Sequence, residues 1–138
     1  MTTSKIDSRK QEIALPPIKV AKDELRRLNV LADSSMELFP HVAHFLAREM
    51  ERAHIVADES DLRDVVRMGS RVSYRDEGTG GTREIVLVYP HEANIELNQV
   101  SVLTPVGAAL IGLSIGQGIE FQTPNRQTRS LTVLGVSD

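Results

Sequence analysis

Val100-Ser101-Val102-Leu103-Thr104-Pro105-Val106-Gly107-Ala108-Ala109-Leu110-Ile111-Gly112-Leu113 changes its hydrophobic period half-way along, and that change sets the fold class. Gln99 to Leu103 reads as a strand. Thr104 is then a residue type that caps a helix, Pro105 suits the first helical position because its missing N–H would be unbonded there anyway, and Gly112 suits a helix C-terminus. A strand followed by about two turns of helix is the expectation. Upstream, Arg83 to Tyr89 contains the continuous apolar run Ile85-Val86-Leu87-Val88, the pattern of a central strand covered on both faces, and Pro90 ends it. Before that, Val65-Val66-Arg67-Met68 leads through Gly69 into Arg71 to Arg75, where Val72 and Tyr74 alternate onto one face. Glu77-Gly78-Thr79-Gly80-Gly81 is a hairpin turn. Downstream, Ile119 to Gln122 and Leu131 to Leu134 are strands joined around Thr123-Pro124-Asn125-Arg126. This half is therefore a mostly antiparallel sheet with one short helix, an α+β arrangement.

The N-terminal half has a different period. Leu25, Leu28 and Leu31 or Ala32 recur at helical spacing, with Asp23 and Glu24 in the first turn, where carboxylates complement the helix dipole. Asp33-Ser34-Ser35 breaks that helix and Pro40 opens a second, carrying Val42, Phe45, Leu46, Met50 and Ala53 on one face. Arg48, Glu49, Glu51 and Arg52 fall mostly on the opposite face, with Glu49 and Arg52 spaced for an ion pair. The expectation is a short antiparallel, coiled-coil-like helical hairpin. At 1.5 Å per residue it makes an arm about 15–22 Å long. The polar segment before Pro16-Pro17 reads as a flexible tail, and the acidic run Ala57 to Asp61 as a junction. The predicted organisation is a tail at 1–17, a hairpin arm at 18–60 and a sheet domain at 61–138.

The 138 residues suit one domain or a domain with an appendage. Lys and Arg total 16 against 19 Asp and Glu, a net charge of -3, too balanced for stand-alone nucleic-acid binding. With no cysteine, disulfides, thiolate metal sites and thiol nucleophiles are excluded, and a cytoplasmic location is expected. No run is long and apolar enough to span a bilayer, so no membrane partner is expected.

Few residues carry catalytic promise. His41 and His44 lie one turn apart, but the zinc-protease pattern needs a four-residue spacing and a glutamate, and both are missing; an exposed helix-face pair is the expected reading. Gly107 and Gly112 have phosphate-loop spacing, yet Leu113 and Ser114 follow where a lysine is required. No serine sits in a nucleophile elbow, and Glu92, Glu96 and Glu120 are scattered. No catalytic residue, cofactor or metal site is predicted. Asp33 and Glu37, in the turn between the helices, are carboxylates of the kind that share a Mg²⁺, though ordinary turn roles account for both.

The sheet half resembles the FKBP-like domain of the bacterial Gre transcript-cleavage factors, and within that group the nucleoside diphosphate kinase regulator (Rnk) family. The resemblance rests on Val65 to Val72, on Leu87-Val88-Tyr89-Pro90 and above all on Val100 to Leu113, with Gly116 continuing it. It implies an FKBP-like sheet domain that binds RNA polymerase at the rim of its secondary channel, with the helical arm pointing inward. Gre factors dock through the residues at and just before a Ser-Pro that opens the short helix; here these are Leu103, Thr104 and Pro105, followed by Val106. Leu103 stands where Gre factors have a polar residue, and Gly107-Ala108 where they have Ala-Arg, which makes the contact more apolar. Gre factors also reach the polymerase active centre with a long coiled coil whose acidic tip holds Mg²⁺. A 15–22 Å arm (about that length by helical rise) falls short. The implied role is a non-catalytic regulator that competes with or modulates Gre factors during elongation. The alternatives are direct regulatory binding to nucleoside diphosphate kinase and, less favoured, a peptidyl-prolyl isomerase, which would need an aromatic-lined cavity where this half offers Tyr74, Tyr89 and Phe121.

Overall fold

A computed structural model describes residues 15–138. Strand β1 (Lys19–Ala21) enters helix α1 (Lys22–Ser34), a turn leads to helix α2 (Pro40–Arg52), and β2 (His54–Val56) returns beside β1. The two short strands run parallel, Lys19 opposite His54 and Ala21 opposite Val56, as a crossover through two antiparallel helices allows. A 3-10 turn, Glu59–Leu62, follows, with the Asp58 carboxylate accepting from the N–H and the hydroxyl of Ser60. Strands β3 (Arg71–Asp76), β4 (Thr82–Val88) and β5 (Gln99–Ser101), helix α3 (Pro105–Leu110), and strands β6 (Gly118–Gln122) and β7 (Thr128–Ser137) complete the chain.

The sheet order is β5-β4-β3-β7-β6. Every pairing is antiparallel except β4 with β5. Leu87 on central β4 is fully buried, as its apolar run predicts. Val65 to Met68 adds no strand: Val65 forms one bridge to Ser114, and Val66 exchanges backbone hydrogen bonds with Leu113 and Gly112. Gly112 has φ +84°, a left-handed conformation that costs L residues about 1–2 kcal/mol. A Cβ there would also sit 2.9 Å from Cβ of Ile18.

The hairpin does not stand away from this sheet. Leu28 and Ala32 of α1 and Val42, Leu46 and Met50 of α2 belong to the same apolar core as Val72, Leu87, Val102, Leu110, Leu113 and Val133. Polar contacts tie it down along its length. Near the start of α1, Glu24 pairs with Arg67 at 2.7 Å and the Arg27 guanidinium lies 4.4 Å over the Tyr89 ring. At the start of α2, Nε2 of His41 donates to the carbonyl oxygen of Gln122 at 2.9 Å. The projecting arm expected at 18–60 is thus corrected to a two-helix layer on the domain of 61–138. The reason is visible in α2: buried positions Val42, Ala43, Leu46, Glu49 and Met50 form a stripe wider than a two-helix seam, and its second side faces α3.

Glu49 corrects a further expectation. It lies inside rather than on the solvent face, 1% exposed, and Arg52 forks onto it with Nε at 2.9 Å and Nη2 at 2.7 Å. The third guanidinium nitrogen, Nη1, donates to the Pro16 carbonyl at 2.5 Å. A buried carboxylate requires such pairing, because desolvating it alone would cost several kcal/mol, on the order of 3–5 when a partner is removed. Residues 15–17 of the expected tail are therefore held against the domain, with Leu15 and Pro16 lying along β6 and β7. Residues 1–14 of that tail lie outside the described residues.

Candidate docking site

Three local hydrogen bonds fix the loop between β5 and α3. Thr104 Oγ1 accepts from Gly107 N at 3.0 Å, capping the helix as its residue type predicts, and donates to the Ser101 carbonyl at 2.7 Å. Ser101 Oγ accepts from Leu103 N at 3.0 Å. Pro105 occupies the first helical turn. The tightness of this corner explains Gly107: a Cβ there would collide with the Ser101 carbonyl oxygen and sit 2.9 Å from Cα of Val102. Leu103, Thr104, Pro105 and Val106 are all left half-buried on a rigid support.

Leu103, Thr104 and Pro105 form one wall of an open groove of about 380 Å³, and the hairpin turn forms the other through Leu38, Phe39, Pro40, His41 and Val42; Pro124 of the β6–β7 turn closes one end. Val106 is not in that lining and packs on the core instead. The groove is mostly apolar, and Leu38 is 79% exposed and Phe39 53%. Glu37 is exposed on the turn that carries Leu38, whereas Asp33, expected in that turn, lies exposed in the last turn of α1, which runs on to Ser34. Among the described residues no group of three or more His, Asp or Glu side chains could hold a metal ion. His44 is exposed, as expected of a helix-face pair, while His41, also exposed, is engaged with Gln122.

Residue patterning missed Leu38, Phe39 and Pro124, because a turn between helices carries no periodic signal. One sign was present: two bulky apolar residues stand together directly before Pro40, in a segment with no burial requirement of its own.

The family described as transcription elongation factor GreA/GreB, C-terminal, matches residues 59–138, the segment that holds the β5–α3 corner. The chain belongs to the GreA/GreB family. The regulator of nucleoside diphosphate kinase from Escherichia coli strain K12 is 34% identical over 119 residues, covering 86% of this chain and 88% of that protein, a span reaching into the hairpin. Transcription elongation factor GreA from Ruegeria pomeroyi is 35% identical over 81 residues, covering 59% of this chain and 51% of its own length. Among solved structures, a prokaryotic transcription elongation factor GreA/GreB from Nitrosomonas europaea superposes with TM-score 0.68 at 31% identity, covering 89% of this chain and 99% of that one. The matched Gre-family relatives are named as regulators and transcription factors rather than enzymes. No helix among the described residues is long and apolar enough to cross a membrane.

Proposed function

We propose that the protein is a non-catalytic regulator of transcription elongation that docks on RNA polymerase at the rim of the secondary channel and competes with Gre factors there. The observation that carries this reading is the open apolar groove walled by Leu103, Thr104 and Pro105, the positions at which Gre factors dock, held rigid by the Thr104 cap. An exposed, preorganised apolar surface of this kind loses little side-chain entropy on binding. On this reading transcript cleavage is absent, because the hairpin that carries Asp33 and Glu37 packs along the domain and its turn faces the β5–α3 corner, so neither carboxylate sits at the end of a projecting rod. The role requires no cofactor and no direct specific contact with nucleic acid.

Binding of labelled protein to purified core RNA polymerase, with and without a competing Gre factor, tests the reading. Pro105→Glu, which puts a charge on the groove wall, should abolish binding while the thermal midpoint stays near wild type. Binding that Gre factors leave untouched would remove the proposal. A second reading, direct regulatory binding to nucleoside diphosphate kinase, is favoured by the name of the Escherichia coli relative, and co-elution of the two purified proteins without polymerase would support it. Prolyl isomerisation gains no support: Tyr74 and Phe121 are buried in the core and Tyr89 lies beneath Arg27.

A further inference from the structure

We propose that the hairpin turn is half of the docking surface: Leu38 and Phe39 act with Leu103, Pro105 and Pro124 as the two jaws of one apolar clamp for a ridge on the polymerase. This deepens the polymerase reading and rests on it. It is argued from placement. The two jaws come from segments more than sixty residues apart in sequence, roughly the separation of Leu38 and Leu103, and are brought together only because α2 lies along α3. Burial in this protein does not explain Leu38 and Phe39, since both side chains remain more than half exposed, with Leu38 at 79%. Large apolar side chains left together in water beside an apolar wall mark a surface that another macromolecule covers.

Charge defines which partner fits. On the hairpin jaw the residue before Leu38 is Glu37, exposed; beyond the end closed by Pro124, two residues further on, is Arg126, also exposed and with φ +67° in the β6–β7 turn. The complementary element is an apolar ridge with a cation on its hairpin side and an anion on its β6–β7 side. Fixed charges of opposite sign, one on the hairpin bank and one past the Pro124 end, set the orientation of that ridge more than its affinity. A second copy of this chain fits poorly, because two such grooves brought face to face meet hollow to hollow.

The test is titration of core RNA polymerase with the full-length wild type, Pro105→Glu, the double variant Leu38→Ser/Phe39→Ser, and Glu37→Lys. The double variant should bind at least about tenfold more weakly, the loss typical of an interface anchor, with a near-native thermal midpoint. Glu37→Lys should weaken binding at low salt and less so at high salt, where exposed charges are screened. Should the double variant fold poorly, Glu37→Lys and the single change Leu38→Lys read the same jaw. Wild-type affinity in all the hairpin variants alongside loss in Pro105→Glu would overturn the clamp and leave the polymerase reading standing. Unchanged affinity in every variant would remove both. A wild-type dimer in sedimentation that the double variant abolishes would assign the clamp to self-association and overturn the proposal.

Discussion

Replacing Leu46 with alanine asks whether the hairpin is a layer of the domain or an appendage. Leu46 is fully buried in α2, within a core that also contains Leu110 of α3 and Val133 of β7. Deleting a buried leucine side chain costs about 2–5 kcal/mol, and a site packed from both helices and the sheet has little room to collapse, so about 3 kcal/mol is expected. For a domain of this size that lowers the thermal midpoint by about 10 °C. The scale of the whole contact points the same way. Burial of Leu28, Val42, Leu46 and Met50, at about 1.5–3 kcal/mol each, is comparable with the roughly 5–15 kcal/mol that stabilises an entire domain. The hairpin therefore should not detach while the sheet stays folded. Far-ultraviolet dichroism follows the helices, and near-ultraviolet dichroism follows Tyr74 and Tyr89, the only tyrosines of a chain without tryptophan, both in the sheet half. The two signals should melt in one transition in wild type and shift together in Leu46→Ala. A helix signal that melts first, or a substitution that moves it and leaves the tyrosine midpoint in place, would refute the shared core.

Gly107→Ala should destabilise the fold by about 1–3 kcal/mol in chemical denaturation, because its Cβ meets backbone of Ser101 and Val102 rather than a side chain that can move aside; an unchanged midpoint would contradict that packing. Joining His41→Cys to Gln122→Cys with a short thiol-reactive crosslinker fixes the hairpin on β6, and in a chain otherwise free of cysteine the product is unambiguous. If docking uses the closed hairpin, the crosslinked protein should compete with Gre factors as well as the uncrosslinked pair does, and lost competition would mean that the hairpin must open. Arg129 donates to Asp76 at 2.5 Å and, with the Gly78 N–H, holds that carboxyl below the ordinary carboxylate range. A depressed folded pKa gives stability that is present above the ordinary carboxylate pKa and is lost as pH falls through the depressed value. Arg129→Leu should therefore raise the Asp76 pKa in an NMR titration and reduce the acid sensitivity of unfolding; an unmoved resonance would exclude the pair.

Local signals made much of the fold readable. The Thr104-Pro105 helix start, the glycine turn between β3 and β4, and the apolar run of β4 each depend on residues close in sequence, where capping, backbone conformation and side-chain period act directly. The same holds for both helices: Pro40 opens α2 and the apolar spacing marks one face of each. Leu103, Thr104, Pro105 and Val106 are identifiable as a candidate site only through the resemblance to Gre factors, since their local pattern by itself reads as a helix start. What the chain could not state by itself is which surface each apolar stripe covers. Periodicity reports that Leu46 and Met50 face inward, and it is silent on whether they face a partner helix or a sheet. A polar residue on a helix is read as solvated, so Glu49 looked exposed; its carboxylate is buried beneath the Arg52 guanidinium, which the Pro16 carbonyl in turn holds in place. The pairing of Leu38 and Phe39 with Leu103 and Pro105 belongs to the same class. Contact between segments so far apart depends on how α2 packs along α3, a decision made by the summed burial of the whole core rather than by any one stretch of residues.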